Sequence, residues 1–307
     1  MRIIKAHKYG GPEVLLREEK ARPQARGKQL CIQIMASSVN QSDLHLRRGQ
    51  NLLCRFKNGI IKPRRMAVPG LEFAGKVHSV GPQVTAFKAG DRVMAYSGAG
   101  FGGYAQFKCL PENEVIVKIP ENLNYLEAAC LPYGALAAWH LIEGLALKDQ
   151  KVLICGAAGS VGNYALQLCQ NAGAEITVVS RRNNHAWLKK LGAQKCLDYR
   201  EENFWESPQC YDLIIDAWGQ IKAKDAQRVL NPKGQFRSVS KMKSRASQTK
   251  LQKLADLIAA GKIQVFLDSV FPWEEVQKAH RKAESGEKAG HIALKISPNW
   301  NPKPHNS

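Results

Sequence analysis

KVLICGAAGSVGNYALQLCQNAGAEITVVSRR, residues 151–182, decides the fold of this chain. It opens on Val152-Leu153-Ile154, an apolar and β-leaning run that reads as a buried strand. Three glycines follow at Gly156, Gly159 and Gly162, and then an apolar stripe at Val161, Ala165, Leu168, Cys169 and Ala172. Steps of four, three, one and three put that stripe on one face of a helix. Gly173 stands where a left-handed helix cap belongs, and Glu175 to Val179 begins a second strand. Strand, glycine turn, helix and strand form the unit that binds a dinucleotide. Gly156, Ala157, Ala158, Gly159, Ser160, Val161 and Gly162 would offer backbone N–H groups and a helix N-terminus to its pyrophosphate. The glycine spacing is G-x-x-G-x-x-G rather than the commoner G-x-G-x-x-G. A bare turn of this kind packs a helix onto a strand with no ligand at all, so the full context carries the assignment.

Outward from this unit, alternation continues toward the C-terminus. A helix is expected around Ala186 to Leu191, a short strand at Lys195 to Tyr199 and a buried strand at Tyr211 to Ala217. A helix near Lys222 to Leu230 leads to a strand at Gln235 to Val239, and an amphipathic helix, Leu251 to Ala260, closes this part at Gly261. Such alternation predicts an open, doubly wound parallel sheet covered on both faces. Toward the N-terminus the texture differs. Arg2–Ala6, Leu30–Ala36, Glu72–Val80, Asp91–Tyr96, Tyr104–Cys109 and Glu114–Lys118 read as short strands divided by glycine and proline, which suits a barrel-like β domain. The change falls near Pro120, after which Leu123 to Leu147 reads as mostly helical. A strand (Val265–Phe271), a helix (Trp273–Ser285) and a strand (His291–Ile296) follow Gly261, and the last strand is expected back in the first domain. The expected domains are therefore 1–120 with 264–307, and 121–263. The tail, Asn299 to Ser307, reads as loose.

With 307 residues the chain can bury a large core in two domains. Residues 1–11 lack the apolar core of a signal peptide, and the helix candidate Gly134–Leu147 is interrupted by His140 and Glu143 and too short to span a bilayer. A soluble, cytoplasmic protein with no membrane partner is the expectation. The eight cysteines form no C-x-x-C pair and several sit in apolar runs, which fits reduced core thiols rather than disulfides or a cysteine-rich zinc site. The net charge of +19 is concentrated in two runs, with seven Lys or Arg from Arg47 to Arg65 and five from Lys241 to Lys253. A solvated surface that attracts anionic cofactors explains both. No nucleic-acid module accompanies them, so nucleic acid is not expected as a partner.

The end of the second strand points to the cofactor. An acidic residue there would receive the ribose hydroxyls of NAD, whereas this chain has Ser180, Arg181 and Arg182. A hydroxyl and guanidinium groups suit a 2′-phosphate, so NADPH is expected rather than NADH.

GAAGSVGNYALQL, PGLEFAGKVHSVGPQVTAFKAGDRV and FPWEEVQKAHRKAESGEKAGHIALKI together closely resemble the zinc-independent quinone oxidoreductase branch of the medium-chain dehydrogenase/reductase superfamily. The resemblance runs through nearly the whole chain. It implies a GroES-like catalytic domain plus a Rossmann domain, with the active site in the cleft between them. It also places Asn40 beside the cofactor and Tyr199 near the 2′-phosphate. Zinc alcohol dehydrogenases of the superfamily carry ligands at three matching places, where this chain has Asn40, Leu71 and Tyr133. Asn, Leu and Tyr do not supply the roughly three protein ligands of a catalytic zinc, so no metal is expected.

Without a Lewis acid, hydrogen-bond donors must handle the developing negative charge. That favours hydride delivery to an activated acceptor, a quinone or an α,β-unsaturated carbonyl. Carbonyl polarisation is expected from Tyr133, Ser42, His45 or a backbone amide, with Asn40 alongside. A metal-free carbonyl or alcohol dehydrogenase using Ser42 and His45 is the alternative within enzymes. A catalytically weak nucleotide- or RNA-binding member of the fold is the alternative outside them. Tyrosines common in the family near the positions of His45 and Asn51 are missing, and the basic Asn51–Arg65 segment lies where relatives line the substrate cleft. The substrate stays open. Between Ser240 and Leu251 a short basic link replaces the additional strand through which relatives commonly pair as dimers, leaving a different dimer interface or a monomer.

Overall fold

The computed structural model describes residues 1–50, 55–56, 58–64, 67–206, 209–242 and 246–297. The expected loose tail, Asn51 and parts of both basic runs lie outside them. The chain divides into two compact units, Met1–Tyr133 with Ser247–Ala259 and Val265–Ser307, and Gly134–Ala246 with Ala260–Gln264.

In the first unit β1 (Arg2–Ala6) pairs antiparallel with β2 (Leu15–Glu19), a strand the sequence reading left out because its acidic face hides the alternation. The main sheet is built on β3 (Gln29–Val39), β4 (Glu72–Val80), β5 (Arg92–Tyr96), β6 (Phe107–Pro111) and β7 (Val115–Lys118). Alternate residues of β3, Leu30, Ile32 and Ile34, point into one core with Phe73, Val93, Tyr104 and Ile116. The strand expected at Tyr104–Cys109 begins later, at Phe107. Tyr104 itself is fully buried, its hydroxyl donating to the carbonyl of Ser38 at 3.2 Å. Helix α1 (Gln41–Arg48) follows β3 directly. The stretch read as one helical region holds two helices, α2 (Tyr125–Ala128) and α3 (Pro132–Ile142).

The second unit is an all-parallel sheet. Its strands are β8 (Lys151–Cys155), β9 (Glu175–Ser180), β10 (Lys195–Asp198), β11 (Tyr211–Asp216) and β12 (Leu230–Ser238), in the order β10-β9-β8-β11-β12. Val152, Leu153 and Ile154 are inaccessible to solvent, as a strand covered on both faces requires. Helix α4 (Gly162–Asn171) connects β8 to β9, and α5 (His185–Lys190) connects β9 to β10. The helix expected at Lys222–Leu230 is shorter. It comprises α6 (Ala223–Ala226) and one 3-10 turn, because β12 already starts at Leu230. Among the described residues no strand follows β12 in this sheet, and Val239–Lys241 forms a 3-10 turn instead.

Two segments fall differently from the expected boundaries. Helix α7 (Gln248–Ala259), read as the close of the second domain, belongs to the first unit. Leu251, Leu254, Ala255 and Ile258 bury one stripe of it, each large one contributing about 2 kcal/mol of transfer free energy. Its start and end are tied into the same unit. Gln248 Nε2 donates to the carbonyl of Ile116 at 2.7 Å, and Asn122 Nδ2 donates to that of Ile258 at 2.9 Å. Residues 121–133 likewise join the first unit, with Leu126, Ala128, Ala129 and Cys130 buried. A short return, Ala260–Gln264, is held to the second unit by a side-chain clamp. Gln264 N donates to Gln167 Oε1 at 2.8 Å, while Gln167 Nε2 donates to the carbonyl of Gln264 at 3.1 Å. The chain then re-enters the first unit. There β13 (Leu267–Pro272), α8 (Val276–Glu284) and β14 (His291–Lys295) follow, and β14 pairs with β3 on one side and β13 on the other. Among the described residues no helix is long and apolar enough to cross a membrane.

Candidate active site

In the second unit the turn after β8 shows the three uses of glycine that a pyrophosphate cradle needs. Gly156 has φ +78°, a left-handed conformation that lets the chain turn sharply off the strand. A Cβ on Gly159 would meet only the Gly156 carbonyl oxygen, at 3.3 Å, so this face of the turn is open to a ligand. A Cβ on Gly162 would lie 2.2 Å from that same oxygen and 2.6 Å from Ala157 Cα, so helix and turn touch here. No side chain caps the start of α4 at Val161, leaving the helix end for an anion.

At the end of β9 the predicted phosphate residues differ in what they touch. Ser180 is buried and its hydroxyl donates to the carbonyl of Arg181 at 3.3 Å, turned toward backbone. Arg181 Nε donates to the Tyr199 hydroxyl at 2.9 Å, which brings together two residues 18 positions apart. Arg182 is instead ion-paired with Glu201. Asp198, which the sequence reading passed over, ends β10 in register with Ser180. Its carboxylate accepts the backbone N–H of Arg182 at 2.8 Å and of Arg200 at 2.9 Å. The Arg200 N–H first, and then that of Arg182 and the nearby cations, hold the Asp198 carboxyl below the usual range.

Trp218 is the second residue that sequence reasoning missed. The strand order reverses direction between β8 and β11, and ligands of open parallel sheets bind at the carboxyl ends of strands at such a point. Trp218 lies just beyond β11 and is 66 % exposed, and a Cβ on Gly156 would come 3.1 Å from its Cβ. Asp216 fixes the turn that presents it. One carboxylate oxygen accepts the N–H groups of Trp218 and Gly219 at 3.1 and 2.7 Å, and the other accepts those of Ile221 and the Ser238 hydroxyl at 3.1 and 2.8 Å. The signal in the sequence was an Asp and a Gly three residues apart after an apolar strand.

The first unit carries the donor residues. Asn40 is the N-cap of α1. Its Oδ1 accepts the N–H groups of Ser42 and Asp43 at 3.0 and 3.4 Å, and Asp43 Oδ2 accepts the Asn40 N–H at 3.1 Å. The Asn40 Nδ2 group is buried and has no hydrogen-bond partner among the described residues, a costly state that a ligand would relieve. Burial pushes the pKa of the Tyr133 phenol up, so the phenol keeps its proton, and the nearby Ser42 side chain acts in the opposite sense. Tyr133 also stacks on Tyr96, with ring centroids 6.4 Å apart, against a cluster of Leu46, Leu71 and Phe101. Phe101 is held at φ +39°, a strained conformation for a residue other than glycine, of the kind that collects at functional sites. His45 lies one turn along α1 and is exposed; partial burial of its ring and then the Arg48 guanidinium hold its pKa below the usual histidine range. The structure thus brings Asn40, Ser42 and Tyr133 together and leaves His45 on the exposed face of the helix.

Two buried carboxyl groups lie beneath these donors, and the sequence reading gave neither a role. Asp43 Oδ1 accepts the Gly70 N–H at 2.8 Å, and burial pushes its carboxyl up to about 7 against the pull of its backbone donors. Glu72 accepts the Ser38 hydroxyl at 2.5 Å and the Tyr133 N–H at 2.6 Å, and burial pushes it up to about 8.

Comparison with known proteins agrees with both halves. The alcohol dehydrogenase GroES-like domain matches residues 26–121, and the zinc-binding dehydrogenase family matches residues 237–294. A 2-methylene-furan-3-one reductase of Solanum lycopersicum is 30% identical, covering 93% of this chain and 76% of its own length. A chloroplast envelope quinone oxidoreductase homolog of Arabidopsis thaliana is 28% identical, over 96% of this chain and 98% of its own. The chain belongs to the quinone oxidoreductase branch of the medium-chain dehydrogenase/reductase superfamily. The solved quinone oxidoreductase of Coxiella burnetii superposes on it with a TM-score of 0.84 at 26% identity, covering 97% of this chain and 99% of that one. Membership of this branch makes the protein an oxidoreductase of small molecules that works with a nicotinamide cofactor. The glycine cradle and the uncapped start of α4 in the second unit fit such a cofactor.

Proposed function

We propose that the protein reduces quinones or α,β-unsaturated carbonyls with NADPH and without a metal ion. The observation that carries this reading is the buried Tyr133 phenol, kept protonated near the Ser42 side chain, with Asn40 and Tyr133 standing where zinc-dependent relatives place ligands. The donor set does not fit a catalytic zinc. Asn40 Oδ1 already accepts two N–H groups, Leu71 is packed in an apolar cluster, and burial keeps the Tyr133 phenol protonated. The same groups are well suited to a carbonyl oxygen that gains negative charge, since both hydroxyls can donate to it in a site sheltered from water.

A bound nicotinamide supplies the hydride, and the chain's own residues orient and polarise. The turn from Gly156 to Gly162 holds the pyrophosphate, and Arg181 with Tyr199 receives the 2′-phosphate. Trp218 at the switch point would flank the bound cofactor, and Asn40 Nδ2 would offer its donor toward the cofactor's reacting end. Phe56, Ile60 and Ile61 are exposed on the segment that lines the substrate cleft in relatives, which favours acceptors with an apolar body. The substrates named for the two curated relatives, a quinone and a methylene-furanone, are acceptors of this activated kind.

An acceptor panel followed at the nicotinamide absorbance tests the reading. Quinones and enones should turn over with NADPH at least tenfold faster in kcat/KM than simple ketones. Preference for ketones or alcohols, or stoichiometric zinc in the purified protein, would sink it.

A further inference from the structure

The Tyr133 phenol has a support of its own. Tyr133 is the second residue of α3, so its N–H has no partner inside the helix. Glu72 Oε2 accepts that N–H at 2.6 Å. The other carboxyl oxygen accepts the Ser38 hydroxyl at 2.5 Å, and the Glu72 carbonyl accepts the Ser37 hydroxyl at 2.6 Å. Ser37 and Ser38 belong to β3, the strand that runs into Asn40, and Glu72 opens β4 beside it. Glu72 is fully buried, so it is held in one place, and it ties the start of α3 to the strand end that carries Asn40 and Ser42.

From these contacts we infer that Glu72 is a positioning residue of the reductase site: by holding the peptide N–H of Tyr133 against Ser38, it sets where the Tyr133 phenol stands. A carboxyl group is not strictly required for this. Glutamine has an oxygen for the Tyr133 N–H and an NH₂ for the Ser38 oxygen, whereas leucine fills the space and offers neither. Ser38 acts one bond further out, because without its hydroxyl the Glu72 side chain loses one of its two anchors.

The inference rests on the reading of Ser42 and Tyr133 as donors to the acceptor, and a double-mutant cycle separates the two. Wild type, Y133F, E72L, E72Q and S38A would be compared, along with Y133F/E72L and Y133F/S38A. The readouts are kcat and KM with NADPH and a quinone, NADPH affinity by fluorescence, and melting temperature. Y133F should lower kcat by about tenfold to a hundredfold, the usual worth of a proton-donating group. E72L should lower kcat to a similar degree, with NADPH affinity within about twofold of wild type. In the Y133F background E72L should cost no more than about twofold in kcat, because there is no hydroxyl left to misplace. E72Q should stay within about threefold of wild type. S38A should show a smaller fall in kcat that also vanishes in Y133F, and it keeps the test alive if E72L does not fold. Additive losses across either cycle, or an E72Q as damaged as E72L, would overturn the role of Glu72 while leaving the donor reading intact. A Y133F enzyme with unchanged kcat would overturn both.

Discussion

The two candidate regions, one in each unit, begin in the same way and are built from opposite materials. In each, a buried strand ends and a helix starts, β8 into α4 and β3 into α1. After β8 the functional groups are main-chain atoms, and side chains are removed to expose them, down to a Cβ that would strike the Gly156 oxygen at 2.2 Å. After β3 the functional groups are side chains, and more side chains are buried beneath them to hold them, Asp43 under Asn40 and Glu72 under Tyr133. A backbone device tolerates no added atom and says little about residue charge. A side-chain device tolerates isosteres and depends on the protonation of what lies below it.

The harshest way to break that contrast is Gly162→Ala. One methyl group must displace either the Gly156 carbonyl or the start of α4, at an overpacking cost of about 3 kcal/mol. NADPH affinity should fall by roughly a hundredfold or more, measured by titration of nicotinamide fluorescence. An alanine variant that binds NADPH normally would show that the cradle is not a backbone device.

Glu72→Gln tests the other half through pH. The Glu72 carboxyl has an ordinary value of 4.5 and is raised to about 8 by burial, with Asp43 adding to the shift and Ser38, Tyr133 and Lys288 opposing it. Between these values the folded protein keeps a proton that the unfolded chain releases. Wild-type stability is therefore full below about 4.5 and declines as pH rises toward 8, by at most about 1.4 kcal/mol per pH unit. The glutamine variant lacks this decline, so its stability relative to wild type should improve from pH 5 to 8 in urea unfolding. Parallel curves for the two proteins would mean that Glu72 ionises freely where it stands.

The smallest effect sharpens the comparison from within the nucleotide half. Sequence treats Arg181 and Arg182 alike, yet Arg181 is joined to the neutral Tyr199 and Arg182 to the acidic Glu201. Arg181→Ala should weaken NADPH by about 2 kcal/mol, roughly thirtyfold in Kd, with NADH changed less than threefold. Arg182→Ala should cost NADPH only a few-fold, since that guanidinium already has a carboxylate. Equal losses for the two variants, or equal losses for the two cofactors, would remove Arg181 from the phosphate site.

How much could be read in advance follows the same division. The βαβ unit was legible because its signals are local: an apolar run, glycines at fixed spacing and a stripe at helical period, all within residues 151–182. Asn40, Ser42 and Tyr133 were legible as candidates by comparison with zinc-binding relatives, but their contacts were not. The Glu72–Tyr133 bond joins residues more than 60 positions apart. Helix α7 illustrates the same limit on the scale of the fold. Its apolar stripe was visible, whereas the surface that covers the stripe was not, so the helix was assigned to the wrong side of the boundary.

What the sequence by itself determined is the nucleotide turn and the parallel sheet around it. Each depends on residue identity and near-neighbour spacing, which a chain carries before it folds. Only the tertiary structure decided that Arg181 meets Tyr199 and Arg182 meets Glu201, that Asp43 and Glu72 are buried under Asn40 and Tyr133, and that Trp218 stands against Gly156. Those facts depend on burial and on pairings across long sequence distances, and neither exists until strands and helices have packed.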